Sequence, residues 1–202
     1  GTAGRTVPHS LSVIPEMMWV KSRDIVSQGT SYPSNWGVYH KDISVSSGMP
    51  LNTNDRGTAW LATTFWNDTA PTATVFSLGT GTTVTNNPYG TYIAYLFATL
   101  DGISKVGSYT GNGSNQTIDC GFSAGARFIL VKRYDADGDW YVWDSVRGIV
   151  AGNDPHLSLN TTAAQVTTDD SVDPDNSGFI VNQVSATNIN VSSGTYIFYA
   201  IA

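Results

Sequence analysis

The sequence predicts an all-β protein made of two tandem repeats of a β-sandwich or jelly-roll-like unit that pack together. Glu16 is the only glutamate among 202 residues, and Lys and Gln are scarce, so good helix formers are rare. Trp, Tyr, Phe, Val and Ile occur in short runs separated by Thr, Ser, Asn and Gly, which is typical of strands joined by turns. The same series of segments occurs twice in the same order, which predicts the duplication.

Seven strands are predicted in the first copy, each a run of apolar and β-branched residues bounded by turn residues. They are Arg5–Leu11, Met17–Arg23, Asn35–His40, Ala59–Phe65, Thr74–Leu78, Thr82–Thr85 and Thr91–Thr99. Eight are predicted in the second copy, at Thr117–Phe122, Phe128–Tyr134, Asp139–Asp144, His156–Leu159, Ala164–Thr168, Gly178–Val181, Asn188–Val191 and Thr195–Ala202. Short strands at this spacing indicate sandwiches or barrels.

Four pairs of matching segments define the repeat. Met17–Lys21 corresponds to Phe128–Lys132, Trp36–Tyr39 to Trp140–Trp143, Leu51–Thr53 to Leu159–Thr161, and Gly90–Ala98 to Gly194–Ala202. The hydrophobic frame is kept in both copies while most polar positions differ. Shared residues are therefore expected to be structural, and function is expected where the copies diverge.

The repeat boundaries are placed at residues 1–101 and 102–202. The connector, at about 102–114, is rich in Gly and small polar residues, as a segment with turns should be. Gly1–Thr6 aligns with Asn112–Thr117, so we expect the first repeat to lack its leading strand, or an earlier domain to be missing.

The two closing strands, near Thr91–Thr99 and Thr195–Ala202, are apolar on both faces. In the second, Tyr196, Phe198 and Ala200 alternate with Ile197, Tyr199 and Ile201. Such a strand is expected to be central and covered twice. The second cover is either the other repeat or a neighbouring subunit, which predicts a tight two-lobed unit or an oligomer.

Charge and cysteine content exclude several classes of function. A net charge of -6 argues against nucleic acid or anionic lipid as the main partner. No apolar run is long enough to insert into a membrane. Cys120 is the sole cysteine, so an intrachain disulfide is impossible, and its place on a predicted strand indicates a buried structural thiol.

Two aspartate-rich segments raise the question of calcium. Asp135, Asp137 and Asp139 have the alternate spacing of an EF-hand loop, but Trp140 and Val146 replace the required glycine and glutamate. The segment Asp173–Gly178 has a better first half, yet Val184 replaces its closing carboxylate. Turns built from Asp and Gly are the favoured interpretation of both, so no cofactor is expected and calcium is not favoured.

No catalytic constellation is recognisable, and the chain is expected not to be an enzyme. His9, His40 and His156 occupy unrelated positions without zinc-ligand spacing. Ser145 lacks the Gly-x-Ser-x-Gly frame of a hydrolase nucleophile. Nothing marks a pair of carboxylates as glycosidase residues, and phosphate-binding glycine loops are absent from the sequence.

The aromatic residues divide into shared and unmatched ones. Trp36 and Trp140 occur in both copies and are predicted core anchors. Tyr32, Trp60 and Trp66 have no clear aromatic counterpart in the second copy. We predict that these three contact a glycan or a neighbouring subunit, with hydrogen bonds from polar neighbours, namely Asn54, Asp55, Arg56 and Asn67. Packing within a longer loop is the alternative for each.

Several blocks together resemble a duplicated β module of tailed-phage proteins. They are Pro15–Lys21, Trp36–Lys41, Trp66–Thr72, Tyr92–Ala98 and Gly107–Gly113. Such modules occur in tail fibre or virion structural proteins, especially of phages of aquatic bacteria, including cyanophages. The similarity covers nearly the whole chain, and the family carries no assigned catalytic residues.

The resemblance implies a non-enzymatic component of the virion, the extracellular particle. It would be a tail fibre, an appendage or a capsid-decoration module that acts in assembly and host attachment. Other virion subunits are then the expected partners, with a homo-oligomer as the expected form. The alternative is a carbohydrate-binding, lectin-like receptor-binding domain that recognises bacterial surface polysaccharide through the diverged aromatic residues.

Overall fold

A computed structural model describes residues 4–24, 35–59, 63–81, 85–87 and 90–202 of the chain. The described residues form β-strands, turns and loops without any helix, so the predicted all-β class is confirmed. It follows that no helix in these ranges is suited to cross a membrane. The chain divides into two compact units: Gly1–Asn52 with Gly57–Ala98, and Thr53–Arg56 with Thr99–Ala202.

The first unit contains two antiparallel sheets. Its strands are β1 (Arg5–Pro8), β2 (Met17–Ser22), β3 (Gly37–His40), β4 (Ser47–Pro50), β5 (Thr58–Ala59), β6 (Val75–Leu78) and β7 (Tyr92–Phe97). One sheet has the order β5-β4-β3-β2-β7, and the other pairs β1 with β6. In β2, the period-2 alternation of a strand directs Met18 and Val20 toward the core of this unit, where they meet Tyr39, Phe76 and Leu78.

The second unit also contains two antiparallel sheets. Its strands are β8 (Ser104–Thr110), β9 (Gln116–Asp119), β10 (Phe128–Arg133), β11 (Trp140–Asp144), β12 (His156–Ser158), β13 (Val172–Asp175), β14 (Gly178–Val181) and β15 (Thr195–Ile201). The larger sheet has the order β12-β11-β10-β15-β8, and the smaller has the order β13-β14-β9.

An aromatic core packs between the two sheets of the second unit. Phe179 of the small sheet meets Phe198 of the large sheet edge to face, at 5.5 Å between ring centroids. Tyr109 stacks on Tyr196 at 4.9 Å, and the Tyr109 hydroxyl donates to the Ile189 carbonyl. Face-to-face packing of two antiparallel sheets over such a core is a β-sandwich.

The two units share a strand order. β2 lies between β3 and β7, just as β10 lies between β11 and β15. These are the segments that the sequence repeat aligns. The common order supports the duplication hypothesis, which stays a prediction.

The connector prediction for residues 102–114 is wrong over most of its length. Ser104–Thr110 forms β8, which pairs with β15 along seven residues. A strand containing glycine forms here because Gly107 faces the ring of Phe198, where a Cβ atom would lie 2.6 Å from the ring. The glycine content was interpreted as the mark of a loop. In the structure, glycine is needed at Gly107 because the neighbouring strand lies close to it.

The closing strands differ in a way that the sequence did not predict. β15 is central, with β10 on one side and β8 on the other, as expected. β7 is an edge strand, and Ile93 and Tyr95 on its outer face are 37% and 44% exposed. No equivalent of β8 lies in the described part of the first unit, so the central, doubly covered position stays a prediction for β7.

Other predicted strands also differ from the structure. Ala164–Thr168 forms only one isolated bridge, between Val166 and His156, and Asn188–Val191 is not a strand. Residues 63–66 are turns and bends rather than part of a strand, and Thr85 lies in a turn. The remainder of the predictions Ala59–Phe65 and Thr82–Thr85 lies partly outside the described residues. Strands β4 and β13 were not predicted.

The predicted core anchors are only partly confirmed. Trp140 is fully buried, whereas Trp36 is half-buried and stacks on Tyr95 at 6.2 Å. Cys120 is buried in the second unit, as predicted. Burial raises the pKa of its thiol to about 12, which makes the reactive thiolate scarce at neutral pH.

Candidate functional site

The predicted aromatic contact residues do not form one exposed surface. Tyr32 and Trp60 lie outside the described residues. Trp66 is only 1% exposed and meets Tyr39 edge to face at 5.9 Å in the core of the first unit. Trp66 therefore cannot stack on a sugar or meet another subunit, and its prediction as a contact residue is wrong because the ring fills its own core.

Three of the four predicted polar residues, Asn54, Asp55 and Arg56, are exposed on a loop that belongs to the second unit, whereas Asn67 is half-buried in the first unit. Asp137 Oδ1 accepts a hydrogen bond from the Arg56 amide at 3.0 Å. The Gly138 amide donates to the Asn54 carbonyl at 2.9 Å. The backbone of this loop is thus fixed to the β10–β11 turn, while its side chains remain in solvent.

Lys132 donates hydrogen bonds to the same loop from inside the second unit. Its Nζ atom donates to the carbonyl oxygens of Asn54, at 2.9 Å, and Gly138, and it lies 5.9 Å from the centroid of the Trp140 ring. The residue is fully buried. Burial lowers the pKa of Lys132 to about 8, although three nearby aspartates oppose that shift. Lys132 therefore links the Asn54 loop to the β10–β11 turn through hydrogen bonds from its buried side chain.

A polar cleft of about 100 Å³ opens beside this turn. Its walls include Arg133, Asp137, Asp139 and Tyr141, with residues 186–189 opposite. Arg133 pairs with Asp135 at 2.9 Å, and the Asn160 amide donates to Asp139 at 2.7 Å. Carboxylates and amides suit sugar hydroxyls, and an aromatic ring suits the apolar face of a sugar. The volume of the cleft is nevertheless below the ~300 Å³ of ordinary ligand pockets.

Most of the residues that line this cleft were not predicted from the sequence. Asp137 and Asp139 were considered only as calcium ligands, and Arg133, Tyr141 and Asn188 were not singled out. These residues come from two strands and a distant loop, so no local motif marks them. Divergence between the two copies in the Asp135–Asp139 segment was the one available signal.

A second polar cluster is buried near β12. Asp154 Oδ1 accepts hydrogen bonds from the amides of Ser171, at 2.8 Å, and Val172, at 3.3 Å, whereas its Oδ2 has no partner. Burial raises the pKa of Asp154 to about 7. His156 Nδ1 lies 3.2 Å from Asp169 Oδ1, and both side chains are buried. A catalytic role would need access for a substrate, which this cluster does not provide.

The described ranges hold no group of three or more His, Cys, Asp or Glu side chains arranged to bind a metal ion. In the first aspartate-rich segment, Asp135 pairs with Arg133 and Asp137 caps the Arg56 amide. In the second, Asp175 accepts from the amide and hydroxyl of Ser177, in the turn between β13 and β14. These aspartates therefore carry out turn and loop functions.

β7 lies at one edge of the five-stranded sheet in the described part of the first unit. The Arg23 amide donates to Thr91 O at 2.8 Å, which sets the register of the β2–β7 pair. In an antiparallel pair, only every second residue bonds to the neighbouring strand through its backbone amide and carbonyl. In β7 these residues include Ile93 and Tyr95, which bond to β2. The amides and carbonyls of Tyr92, Ala94 and Leu96 therefore point away from β2. No described strand pairs with them.

The corresponding edge of β15 is occupied. There the outward residues Tyr196, Phe198 and Ala200 pair with Tyr109, Gly107 and Lys105 of β8. The sequence repeat aligns Tyr92 with Tyr196, so these equal positions are paired in the second unit, whereas no described strand pairs with the outward groups of β7 in the first.

The profile of a family described as "Domain of unknown function (DUF7483)" matches residues 1–202. No curated protein and no solved structure matches the chain.

Proposed function

We propose that this chain, which belongs to the family described as a domain of unknown function (DUF7483), is a non-enzymatic structural component of a tailed-phage virion. Its role is assembly and host attachment, as part of a tail fibre, an appendage or the capsid decoration. The exposed side chains of Ile93 and Tyr95 on β7 are the observation that carries the assembly role, because they offer apolar area to another chain.

The resemblance of the sequence blocks to phage modules supports the virion location. The fold adds a consistent physical picture, since antiparallel sandwiches tolerate long polar turns and join through their edges. The buried positions of Trp66 and Cys120 also fit a structural module, in which such residues stabilise the cores.

Immunogold labelling tests the virion role directly. Antibodies against the purified chain would be applied to gradient-purified particles of a tailed phage whose genome carries the coding sequence. We expect labelling at the tail or the capsid surface. Labelling confined to the lysate of infected cells, with unlabelled particles, would contradict the proposal.

A lectin-like role is the second candidate, favoured by the cleft beside the Asn54–Arg56 loop. Asp137, Asp139 and Asn188 offer hydrogen-bonding groups there, and Tyr141 offers a ring. The small volume indicates contact with one sugar unit and an affinity that depends on several copies acting together. Saturation-transfer NMR with host surface polysaccharide tests this role: we expect signal loss in Asn188→Ala and none in Asp101→Asn, an exposed control. Equal signals in both variants would exclude the cleft.

A further inference from the structure

We infer that a pocket at one end of the second unit binds a carboxylated sugar, with Arg127 as the group that holds the carboxylate. The volume of this Arg127 pocket is about 530 Å³, which lies within the ~300–1,000 Å³ of ordinary ligand sites. The inference goes beyond the proposed assembly role. The pocket is also distinct from the cleft at the β10–β11 turn, because Arg127 directly precedes β10 whereas that turn follows it.

Three loops from both sheets of the sandwich form the Arg127 pocket. Its walls come from the segment before β10, the segment after β11 and the β13–β14 turn, namely Ala124–Arg127, Ser145, Ile149 and Pro174–Asn176. The Ser145 amide donates to the Arg127 carbonyl at 2.8 Å. The Gly125 amide donates to the Asn176 carbonyl at 2.9 Å. Ile149 packs against the aromatic core, so the pocket is a fixed part of the sandwich.

Arg127 brings a charge to the pocket that no described carboxylate neutralises. Its side chain is exposed, and none of the ion pairs among the described residues includes it. By contrast, Arg133 pairs with Asp135. Arg147 pairs likewise with Asp144. A guanidinium binds a carboxylate through two parallel N–H···O hydrogen bonds, so Arg127 selects a ligand that carries this group.

The first unit has the same backbone arrangement with the opposite charge. The sequence repeat aligns Arg127 with Glu16. The Arg127 amide donates to the Ile201 carbonyl at 2.7 Å. In the first unit, the Glu16 amide donates to the Phe97 carbonyl at 2.8 Å. Since features shared by the two copies are structural, the reversed charge on an equal backbone marks Arg127 as a functional difference.

The space in the pocket also arises where the two copies differ. Ala124–Ala126 aligns with Val13–Pro15, whose side chains are larger. Ser145 aligns with Lys41, so a long side chain is replaced by a short hydroxyl beside Arg127. Small residues on two of the three loops therefore leave room for a ligand in the second unit.

The other lining groups indicate a sugar rather than a simple carboxylate. Asp175 Oδ1 accepts two hydrogen bonds within its own turn, whereas Oδ2 accepts none from a described residue. This oxygen, the Ser145 hydroxyl and the Asn176 amide suit several ligand hydroxyls. Ile149 and Pro174 offer apolar contact to the C–H groups of a ring. A hexuronic acid carries a carboxylate, hydroxyls and such a ring, so it matches the whole set.

A titration of the ¹⁵N-labelled chain with glucuronate, followed by NMR, tests the site. We expect saturable shifts of the amides of Arg127, Ser145 and Asn176. Because Arg127 is exposed, the dissociation constant should be about 1–10 mM. Glucose lacks the carboxylate, and acetate lacks the ring and hydroxyls, so each should bind at least about tenfold more weakly.

Three outcomes of this titration would overturn the inference. The first is the absence of saturable shifts with glucuronate up to about 50 mM. The second is equal affinity for glucose, which would remove the role of the carboxylate. The third is equal affinity for acetate, which would remove the sugar as the ligand class.

Two variants separate the charge from the space. Arg127→Gln removes the charge, keeps both backbone hydrogen bonds and should weaken glucuronate binding at least about fivefold, with glucose binding unchanged. Ala124→Val restores the larger residue of the first copy and should weaken the binding of both sugars. Arg5→Gln is the matched control, because it removes an exposed arginine from the first unit, and it should bind like the wild type.

Unchanged glucuronate affinity in Arg127→Gln, or an equal loss in Arg5→Gln, would overturn the assignment of Arg127. Circular dichroism of each variant shows that the fold is kept. A negative result for this pocket leaves the virion role open, because immunogold labelling decides that role separately.

Discussion

Asp154 is a carboxyl group placed where a charge is costly. The side chain is fully buried, one oxygen accepts two amides, and the other has no partner. Burial raises its folded-state pKa to about 7, above the ~3.9 of an unfolded aspartate. The folded state therefore binds more protons between these values, so this group's stabilising contribution is complete below about pH 4 and is lost as the pH rises through about 7.

Replacing Asp154 by Asn should remove this pH dependence. The amide oxygen keeps both backbone hydrogen bonds, and no charge has to be buried. We expect Asp154→Asn to raise the free energy of unfolding by about 1–3 kcal/mol at pH 8 and to leave it nearly unchanged at pH 4. Urea denaturation at both pH values measures the difference. A variant less stable than the wild type at pH 8 would show that the carboxylate has a partner that stabilises it.

Cys120 provides a built-in reporter of the second unit. Its thiol is buried and its pKa is raised to about 12, so it should react with an aromatic disulfide reagent only after that unit opens. We expect no labelling of the native chain over hours and complete labelling in guanidinium chloride. Because Cys120 is the only cysteine, any rapid native reaction would mean that this core opens locally.

Single residues also show where sequence reasoning stops. Trp66 and Trp140 are both buried. Only Trp140 could be identified from the sequence as a core residue, because only Trp140 has a tryptophan at the matching position of the other copy. Trp66 has no aromatic counterpart in the other copy and stands among polar residues in the sequence. Its ring packs against Tyr39, which is distant along the chain, and against Phe65, which lies outside any strand. Lys132 likewise gives no sign in the sequence that its charge is buried.

At the level of elements, the pairing of β14 with β9 depends on close backbone contact at Gly178. A Cβ atom there would lie 2.1 Å from the Ile118 carbonyl oxygen. Gly178→Ala should therefore separate the two strands and lower the free energy of unfolding by about 2–4 kcal/mol. Thermal or urea denaturation measures the loss.

Gly121→Asn is the matched control for Gly178→Ala. Gly121 has a φ of 73°, and a Cβ atom there would have no neighbour within 4 Å. Asn tolerates this left-handed conformation better than other non-glycine residues. We expect a change below about 1 kcal/mol. Equal losses in both variants would mean that glycine flexibility, rather than strand contact, matters at Gly178.

Strand prediction succeeded where side chains alone indicate the element. β2, β10, β11 and β14 were placed within one or two residues, since each is a run of apolar or aromatic residues. β8 was missed because its sequence, Ser-Lys-Val-Gly-Ser-Tyr-Thr, owes its strand conformation to β15 beside it. The positions of β7 and β15 in their sheets could not be distinguished either, because the two strands have similar sequences and differ only in their neighbours.

At the scale of the whole molecule, net charge affects association. Each chain carries a net charge of -6, so two copies repel each other. Raising NaCl from about 50 mM to about 500 mM should screen this repulsion and strengthen any self-association of the chain about two- to threefold. Sedimentation equilibrium at both salt concentrations measures the change. Self-association that weakens with salt would instead depend on ion pairs between copies.

The candidate surfaces were predictable only in outline. The sequence indicated an apolar strand at Thr91–Thr99 and an assembly role, and it predicted Asn54, Asp55 and Arg56 as polar contact residues. It did not indicate that β7 lies at the edge of the described sheet, because edge or centre is a property of the assembled sheet. The cleft was missed for the same reason, since its walls meet only after β10, β11 and the 186–189 loop are assembled.

The central position of β15 has a consequence for synthesis of the chain. β15 separates β10 from β8, yet it is the last strand of its unit to leave the ribosome. Until then β8 and β10 have no partner between them, so the larger sheet of the second unit completes only after translation has passed Ile201. A nascent chain stopped before Thr195 leaves the facing edges of β8 and β10 unpaired and the core of this unit without Tyr196 and Phe198.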